Sequence, residues 1–366
     1  MSRRVALCLL LCAACSAALA AVRARVLTVD DGDLTTLGYM RYGTQTLEVE
    51  ILDGTRRGER FPATNVVRAQ MELDKFFQPG DTVTVELPAD AATGTMLAAR
   101  DHWRLGWMGA GFALFALLLV AFGGRVGFNA LVSFAVSCAV IWKFVIPLML
   151  KGWSASLVAF AATGLLTAVI IFLVGGFTRK AAAAFGGSML GVVAGLGLAH
   201  LFGAALAING ATLPFVQTLV YSGYAELDLA DVFIAATILA CSGAMMDLAM
   251  DIAAGVREVA RHNPALPRRA LFRSGLRIGR ATVGTMTTTL LLAYSGGYLT
   301  LLMVFAAQGT PPADFLNSPL VAAEVVKTLV GSFAIVLVAP FTALLSALFL
   351  GGRSAGACPA RARAFF

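Results

Sequence analysis

Charged side chains are scarce in this chain, and that scarcity argues against an ordinary soluble protein. Only 13% of the 366 residues are Asp, Glu, Lys or Arg, whereas 58% are hydrophobic. Soluble globular domains contain about 25% charged residues. The composition therefore predicts a membrane-embedded protein with the lipid bilayer as its surroundings. The net charge is +7, and the basic residues lie between apolar runs. They therefore indicate the orientation of the chain in the membrane, and no nucleic-acid partner is expected.

Histidine and cysteine are also sparse, which disfavours metal sites and disulfides. The three histidines, His102, His200 and His262, are far apart, and the one C-x-x-C pair among the six cysteines, Cys12 and Cys15, lies in the N-terminal apolar run. No cysteine lies between Arg23 and Asp101, so no disulfide framework is expected there. Neither a P-loop nor an H-E-x-x-H motif occurs. We therefore expect no metal, no other cofactor and no enzyme activity.

The N-terminus has the form of a targeting segment. Arg3 and Arg4 precede an apolar run over residues 5–20, which ends in the small-x-small sequence Ala18-Leu19-Ala20. Residues 1–22 are therefore predicted to be a signal peptide or a signal anchor. The sequence leaves open whether this segment is cleaved.

Residues 23–102 differ in composition from the remainder and predict a small β domain. Residues 46–51 and 82–87 alternate between apolar and polar side chains, as strands with one buried face do. Asp53-Gly54 and Pro79-Gly80 supply turns. Because a signal segment precedes it, this domain is expected to be extracytoplasmic.

Residues 103–352 predict an all-α polytopic membrane bundle of about seven helices. The apolar runs are each long enough to cross about 30 Å of hydrocarbon, and they cover residues 105–122, 126–150, 153–174, 181–206, 231–255, 283–307 and 320–350. Residues 353–366 form a tail.

Basic residues on alternate connections predict the orientation. Arg125, the pair Arg179 and Lys180, seven arginines between Arg257 and Arg280, and three more in the tail fall on one set of connections. Those connections are expected to be cytoplasmic. The β domain then lies outside the cytoplasm, and the C-terminus lies inside it.

Four charged side chains inside predicted spans are candidates for a solute or ion pathway. Asp247 and Asp251, four residues apart, share one face of an apolar helix, and buried charge usually faces the bundle interior or water. Asp247 lies deeper, whereas Asp251 could pair with Arg257 at the interface. Glu324 and Lys327 are three residues apart and could simply neutralise each other.

Two further patterns concern polar lining and helix packing. Thr285 belongs to a hydroxyl-rich stretch that could line a polar path, although such side chains often bond back to the preceding helical turn. Small residues recur at Ala183, Gly187, Gly191, Gly195 and Ala199. A stripe of this kind lets another helix approach closely, and it could also serve as a sliding surface.

Several linked motifs resemble the YibE/F family of bacterial membrane proteins. They are Gly243-Ala244-Met245-Met246-Asp247, Ser274-Gly275, Ile278-Gly279-Arg280, Gly284-Thr285-Met286 and Leu291-Leu292-Ala293-Tyr294-Ser295-Gly296. The resemblance implies a multi-helix membrane region of unestablished activity, and places polar family positions at Asp247, Arg280, Thr285 and Glu324. The chain departs from the family pattern at Asp251, Ala281, Thr288 and Lys327, which weakens any proton or ion relay built on an acid after Arg280.

Together these features favour a secondary transporter or permease of the bacterial inner membrane. Its substrate would be an unknown small solute or ion. The alternative is a non-transporting scaffold subunit whose outer β domain binds another protein, and either could assemble as a homo-oligomer. The candidate pathway residues are Asp247, Arg280, Thr285, Glu324 and Lys327, and the candidate packing residues are Gly187, Gly191 and Gly195.

Overall fold

The computed structural model describes residues 21–71, 73–88, 92 and 94–351. The predicted signal segment up to residue 20 and the predicted tail at 353–366 lie outside these residues. The chain divides into two compact units, Met1–Phe122 and Gly123–Phe366. The first contains a β-barrel and the start of an apolar helix, and the second contains the remaining helices.

The barrel has five strands in the order β1-β2-β3-β5-β4, closed upon itself. Only β3 and β5 pair in parallel; the other neighbours are antiparallel. This arrangement is the topology of a five-stranded OB-type barrel. The strands are β1 Ala21–Leu37, β2 Met40–Ile51, β3 Arg60–Arg68, β4 Thr82–Glu86 and β5 Leu97–His102. The expected small β domain is confirmed.

Alternating side chains explain why these segments close around one core. Along β2, the buried residues Leu47, Val49 and Ile51 alternate with less buried neighbours, as the strand period of two requires. Gln45 and Asn65 are buried as well, and hydrogen bonds satisfy them. The Gln45 Oε1 accepts from the Phe77 backbone N–H at 3.0 Å and from Asn65 Nδ2 at 3.1 Å, which anchors the segment before β4 to the barrel.

The rest of the chain is helical. The helices are α1 Leu105–Val140, a π-helical turn Ile141–Val145, α2 Ile146–Leu150, α3 Ala155–Gly175, α4 Arg179–Ala205, α5 Val216–Tyr221, α6 Leu229–His262, α7 Arg268–Gly297, α8 Leu299–Ala307, α9 Pro312–Asn317 and α10 Pro319–Leu350. Helix α10 continues through Pro340.

Among the described residues, five helical segments are long and apolar enough to cross a membrane, or six if the bent pair α7 and α8 counts as one. The sequence predicts about seven spans. The difference lies in Leu105–Leu150, a 46-residue helical stretch that counts as a single segment. Gly124 interrupts it with a non-helical backbone (φ 52°, ψ −125°).

Helices α4, α6, α7 and α10 surround the main core of the helical unit, and α3 packs against α6. Ile238, Leu248, Ile335 and Val338 are fully buried there. Large apolar side chains of α1, such as Phe128 and Phe134, are exposed instead. Within the helical unit, the buried side chains are therefore concentrated in a central group of helices.

The small-residue stripe of α4 lies against α10. A Cβ built on Gly187 would lie 2.8 Å from Thr342 Cα, and one built on Gly191 would lie 2.1 Å from Val338 Cγ2. A Cβ on Gly195 would lie 3.2 Å from Ala334 Cβ. The two helix backbones thus approach so closely that only glycine fits at the first two positions without a shift.

Candidate functional site

Glu324 and Lys327 form an ion pair one helical turn apart on α10. The Lys327 Nζ lies 2.5 Å from Glu324 Oε1, and the two side chains are only 13% and 14% exposed. Their i, i+3 spacing brings them to one face of the helix, as the sequence predicts. Burying an ion pair costs desolvation energy, so this pair differs from a solvent-exposed surface salt bridge.

Two aromatic rings from other helices enclose the ammonium of this pair. The Lys327 Nζ lies 5.3 Å from the centre of the Phe233 ring on α6 and 5.6 Å from that of Tyr298. Both distances fall within the range of cation–π attraction. Three separate segments of the chain therefore meet at one positive charge.

Two polar atoms of this cluster have no hydrogen bond of normal length. Glu324 Oε2 and the Tyr294 hydroxyl are each buried without a hydrogen bond of normal length, although the Tyr298 hydroxyl faces the Glu324 carboxylate. Buried polar groups are usually satisfied, so each exception needs an explanation such as a bound water, ion or ligand. We refer to Phe233, Tyr294, Tyr298, Glu324 and Lys327 as the cage.

The cage lies at a break in a helix. Helices α7 and α8 are bent by 66° relative to each other, and Tyr298 is the residue between them. Gly296 and Gly297 immediately precede it, which weakens the helix locally. The Ser295 carbonyl accepts from the Tyr298 N–H at 3.2 Å, and the last carbonyls of α7 carry partial negative charge at this end. A broken helix beside a buried charged pair can supply both backbone and side-chain ligands.

A cavity of about 450 Å³ borders the cage through Phe233. Its lining residues come from the end of α4, the following loop and the start of α6, and include His200, Asn209, Asp228 and Asp231 as well as Phe233. Asp228 accepts hydrogen bonds from the first backbone N–H groups of α6. Asp231 accepts from Ser154 Oγ at 2.9 Å and from the Ser156 N–H at 3.1 Å. Both carboxylates are thereby held at fixed positions.

Asp247 does not join the cage. Its side chain is on an exposed face of α6, together with Asp251 one turn away. Across the part of the chain that the structure describes, Asp247 makes no hydrogen bond and no ion pair, and Lys327 pairs with Glu324 instead. Of the two expected surroundings, the bundle interior or water, the structure does not give Asp247 the first, because α3, α4, α7 and α10 pack against other faces of α6.

Arg280 and Thr285 also lie away from the cage, on exposed positions of α7. Thr285 Oγ1 donates to the Thr282 carbonyl at 2.9 Å, and four neighbouring threonines bond back in the same way: Thr282, Thr287, Thr288 and Thr289. The back-bonding interpretation of this stretch is therefore the one the structure supports. Arg280 has no carboxylate partner among the residues described.

Sequence reasoning missed the aromatic part of the cage and a second close helix contact. Tyr294 and Tyr298 are four residues apart and flank a Gly-Gly pair, which was the available signal. Gly275 and Gly279 form a G-x-x-x-G pattern that brings α7 against α10, where a Cβ on Gly279 would lie 3.0 Å from Ala339 Cβ. Phe233 offered no local signal, because its role depends on a contact between distant helices.

The residues of the cage all fall within one family match. A family model described as YibE/F-like protein matches residues 111–352, which is more than half of the chain. The chain belongs to the YibE/F-like family. This match confirms the resemblance carried by the sequence motifs, and it begins after the barrel. No curated protein and no solved structure matches significantly.

Proposed function

We propose that this YibE/F-like chain is a multi-span protein of the bacterial inner membrane that acts as a secondary transporter or permease. The lengths and hydropathy of its long helices support a membrane setting. So do the exposed apolar side chains of α1, which water would solvate poorly and lipid would cover. Because neither feature identifies a transported solute, the transport function depends on the site.

Seven crossings fit the helices best. The 46-residue stretch Leu105–Leu150 would be about 69 Å long as a continuous helix, more than twice the hydrocarbon thickness. Its interruption at Gly124 supports two crossings, and the bent pair α7 and α8 supplies one. With Arg125 on the cytoplasmic side, every later basic cluster then falls on that same side, and the barrel lies outside the cytoplasm.

The observation that supports transport most strongly is the broken helix beside the Glu324–Lys327 pair. Transporters commonly place their solute or ion sites where a discontinuous helix exposes backbone ends within the membrane. Ionisable residues inside a membrane are expensive to bury and are usually functional. The cage combines both features with two buried polar atoms that lack a hydrogen bond of normal length, which leaves it open to a ligand.

A flux screen in proteoliposomes tests this proposal. The full chain would be reconstituted and assayed for uptake of cations, anions, amino acids and sugars. The matched control is the double variant Glu324→Gln with Lys327→Met, which removes both charges together and so leaves no unpaired buried charge. We expect flux of at least one solute class through the parent chain and none through the folded double variant. Equal flux through both would refute a role for the cage.

A scaffold remains the second candidate, because the barrel presents an exposed apolar tip. The β1–β2 hairpin carries Leu37, Tyr39 and Met40, which are 73%, 101% and 53% exposed. Farther along the same two strands, away from this tip, a groove of about 430 Å³ is lined by residues of β1, β2 and β3. Apolar side chains clustered at a hairpin tip favour a protein contact. A folded chain that gives no flux, but loses a bound protein when Tyr39 is changed to Ser, would support this alternative.

A further inference from the structure

The unsatisfied carboxylate oxygen of the cage and its two ring faces all favour a positive charge. Glu324 Oε2 is buried without a hydrogen bond of normal length, although the Tyr298 hydroxyl faces this carboxylate, and the rings of Phe233 and Tyr298 face the Lys327 ammonium. The C-terminal end of α7 adds partial negative charge at Tyr298. Once Lys327 has left Glu324, an anion would meet a carboxylate and two electron-rich ring faces, so it is disfavoured. The carboxylate oxygen and the two ring faces therefore favour a positively charged ligand.

Lys327 already occupies this environment with a primary ammonium group. Its Nζ contacts Glu324 Oε1 at 2.5 Å and lies between the two rings. The flexible stem of lysine lets its ammonium leave one position for another. The cage therefore accommodates a primary ammonium group, and in this structure the ammonium of Lys327 occupies it.

A divalent metal ion fits the cage less well than a monovalent cation does. One carboxylate and one tyrosine hydroxyl supply few of the six or more oxygen ligands that Ca²⁺ requires. Among the described residues, no group of three His, Cys, Asp or Glu side chains could hold a metal ion. The low exposure of the pair also excludes a bulky quaternary ammonium group unless helices move.

The neighbouring cavity offers such a cation an entrance. Asp228 and Asp231 line it, and no lysine or arginine is among its lining residues. A concave site lined by charges of one sign concentrates counter-ions. Phe233 is shared by the cavity and the cage, so rotation of its side chain would connect them. The cavity lies at the start of α6, which the proposed topology places on the extracytoplasmic side.

We propose that the cage is a binding site for a small monovalent nitrogen cation, ammonium or a primary alkylammonium, which enters through the acidic cavity past Phe233 and displaces the Lys327 side chain from Glu324. This inference rests on the proposed function in that it names the substrate class of the same site. Binding itself does not require transport.

The test measures how ammonium and methylammonium chloride change the thermal stability of the purified full chain in detergent. Sodium chloride at equal ionic strength is the control salt. The variant Lys327→Met vacates the cage and leaves Glu324 free, so methylammonium should bind it about tenfold more tightly than it binds the parent chain. The double variant Glu324→Gln with Lys327→Met keeps the rings but lacks the carboxylate, so it should not respond.

A second variant covers the case in which Lys327→Met is too unstable to purify. Lys327→Gln removes the ammonium group, and its shorter side chain can still hydrogen-bond to Glu324. For either variant, methylammonium added during solubilisation should restore the folded fraction, while sodium should not. Equal responses to sodium and methylammonium, or an equal response in the double variant, would overturn the cation site.

The two proposals fail in distinguishable ways. Methylammonium binding without any flux would refute transport and leave the cation site intact. Flux of other solutes without ammonium binding would refute the cation site and leave transport intact. Phe233→Leu should weaken methylammonium binding about tenfold, because one cation–π contact is lost. An unchanged affinity would remove Phe233 from the site.

Discussion

Alanine substitutions along α4 should separate buried glycines from an exposed one on the same helix. A methyl group on Gly187 would lie 2.0 Å from Thr342 Oγ1 and 2.8 Å from Thr342 Cα. Rotating the Thr342 side chain would relieve only the first contact, because the second is to backbone. A methyl group on Gly191 would lie 2.1 Å from Val338 Cγ2, and valine has few alternative rotamers in a helix.

The expected cost follows from this geometry. Overpacking a close-packed interface costs about 1–3 kcal/mol, and Gly187→Ala should lie at the upper end because helix backbones must separate. Gly195→Ala, with its nearest contact at 3.2 Å, should cost less. A methyl group on Gly197 would meet no atom of a neighbouring element within 4 Å, so Gly197→Ala should be neutral or gain up to about 1 kcal/mol from helix propensity.

Thermal unfolding of the four variants in one detergent provides the assay. We expect Gly187→Ala to be the least stable, followed by Gly191→Ala and Gly195→Ala, with Gly197→Ala at or above the parent chain. A difference of about 2–4 kcal/mol between Gly187→Ala and Gly197→Ala is predicted. If all four variants melt together, the close contact between α4 and α10 is absent from the protein in solution.

Three further predictions concern Asp247, the barrel and the topology. Asp247→Asn should accumulate normally, because Asp247 pairs with no cation among the residues that the structure describes; poor accumulation, measured by fluorescence-detected size exclusion, would contradict this. The Asp53 carboxylate accepts hydrogen bonds from Arg23 at 2.5 and 2.6 Å, which lowers the pKa of Asp53. The stabilising effect of this pair should therefore be present above about pH 4 and be lost as the pH falls further. The melting temperature of Asp53→Asn should depend less on acid pH than that of the parent chain, and identical pH profiles would contradict this. Reporters fused after Asp101 should read as extracytoplasmic, and those after Pro264 or Arg353 as cytoplasmic; a cytoplasmic reading after Asp101 would overturn the orientation.

The β domain and the long apolar helices could be predicted from local patterns alone. Alternation over residues 46–51 and 82–87 marks two barrel strands, because one face of each must be buried. Closure of the barrel could not be predicted in this way, since it depends on the parallel pairing of Ala63 with Leu97, which are far apart in sequence. The Glu324–Lys327 pair was predictable because both residues lie on one helical turn.

The remainder of the site depends on how helices pack, which periodicity does not specify. Asp247 and Phe233 lie on the same helix, and both could have faced the interior. The structure buries Phe233 and exposes Asp247 because neighbouring helices cover only some faces of α6. Tyr298 acquires its position from the bend between α7 and α8, for which the Gly-Gly pair was only a weak indication.

Accessibility of the cage from both sides of the membrane tests the central claim most directly. Tyr298→Cys in a chain stripped of its six native cysteines would be labelled with a membrane-impermeant thiol reagent, in right-side-out and in inverted vesicles. Ala230→Cys, in the cavity, serves as the control for one side, and Ile335→Cys, in the packed core, as the unreactive control. A transporter site predicts that Tyr298→Cys reacts from both sides. Reaction only from the side that labels Ala230→Cys would contradict alternating access.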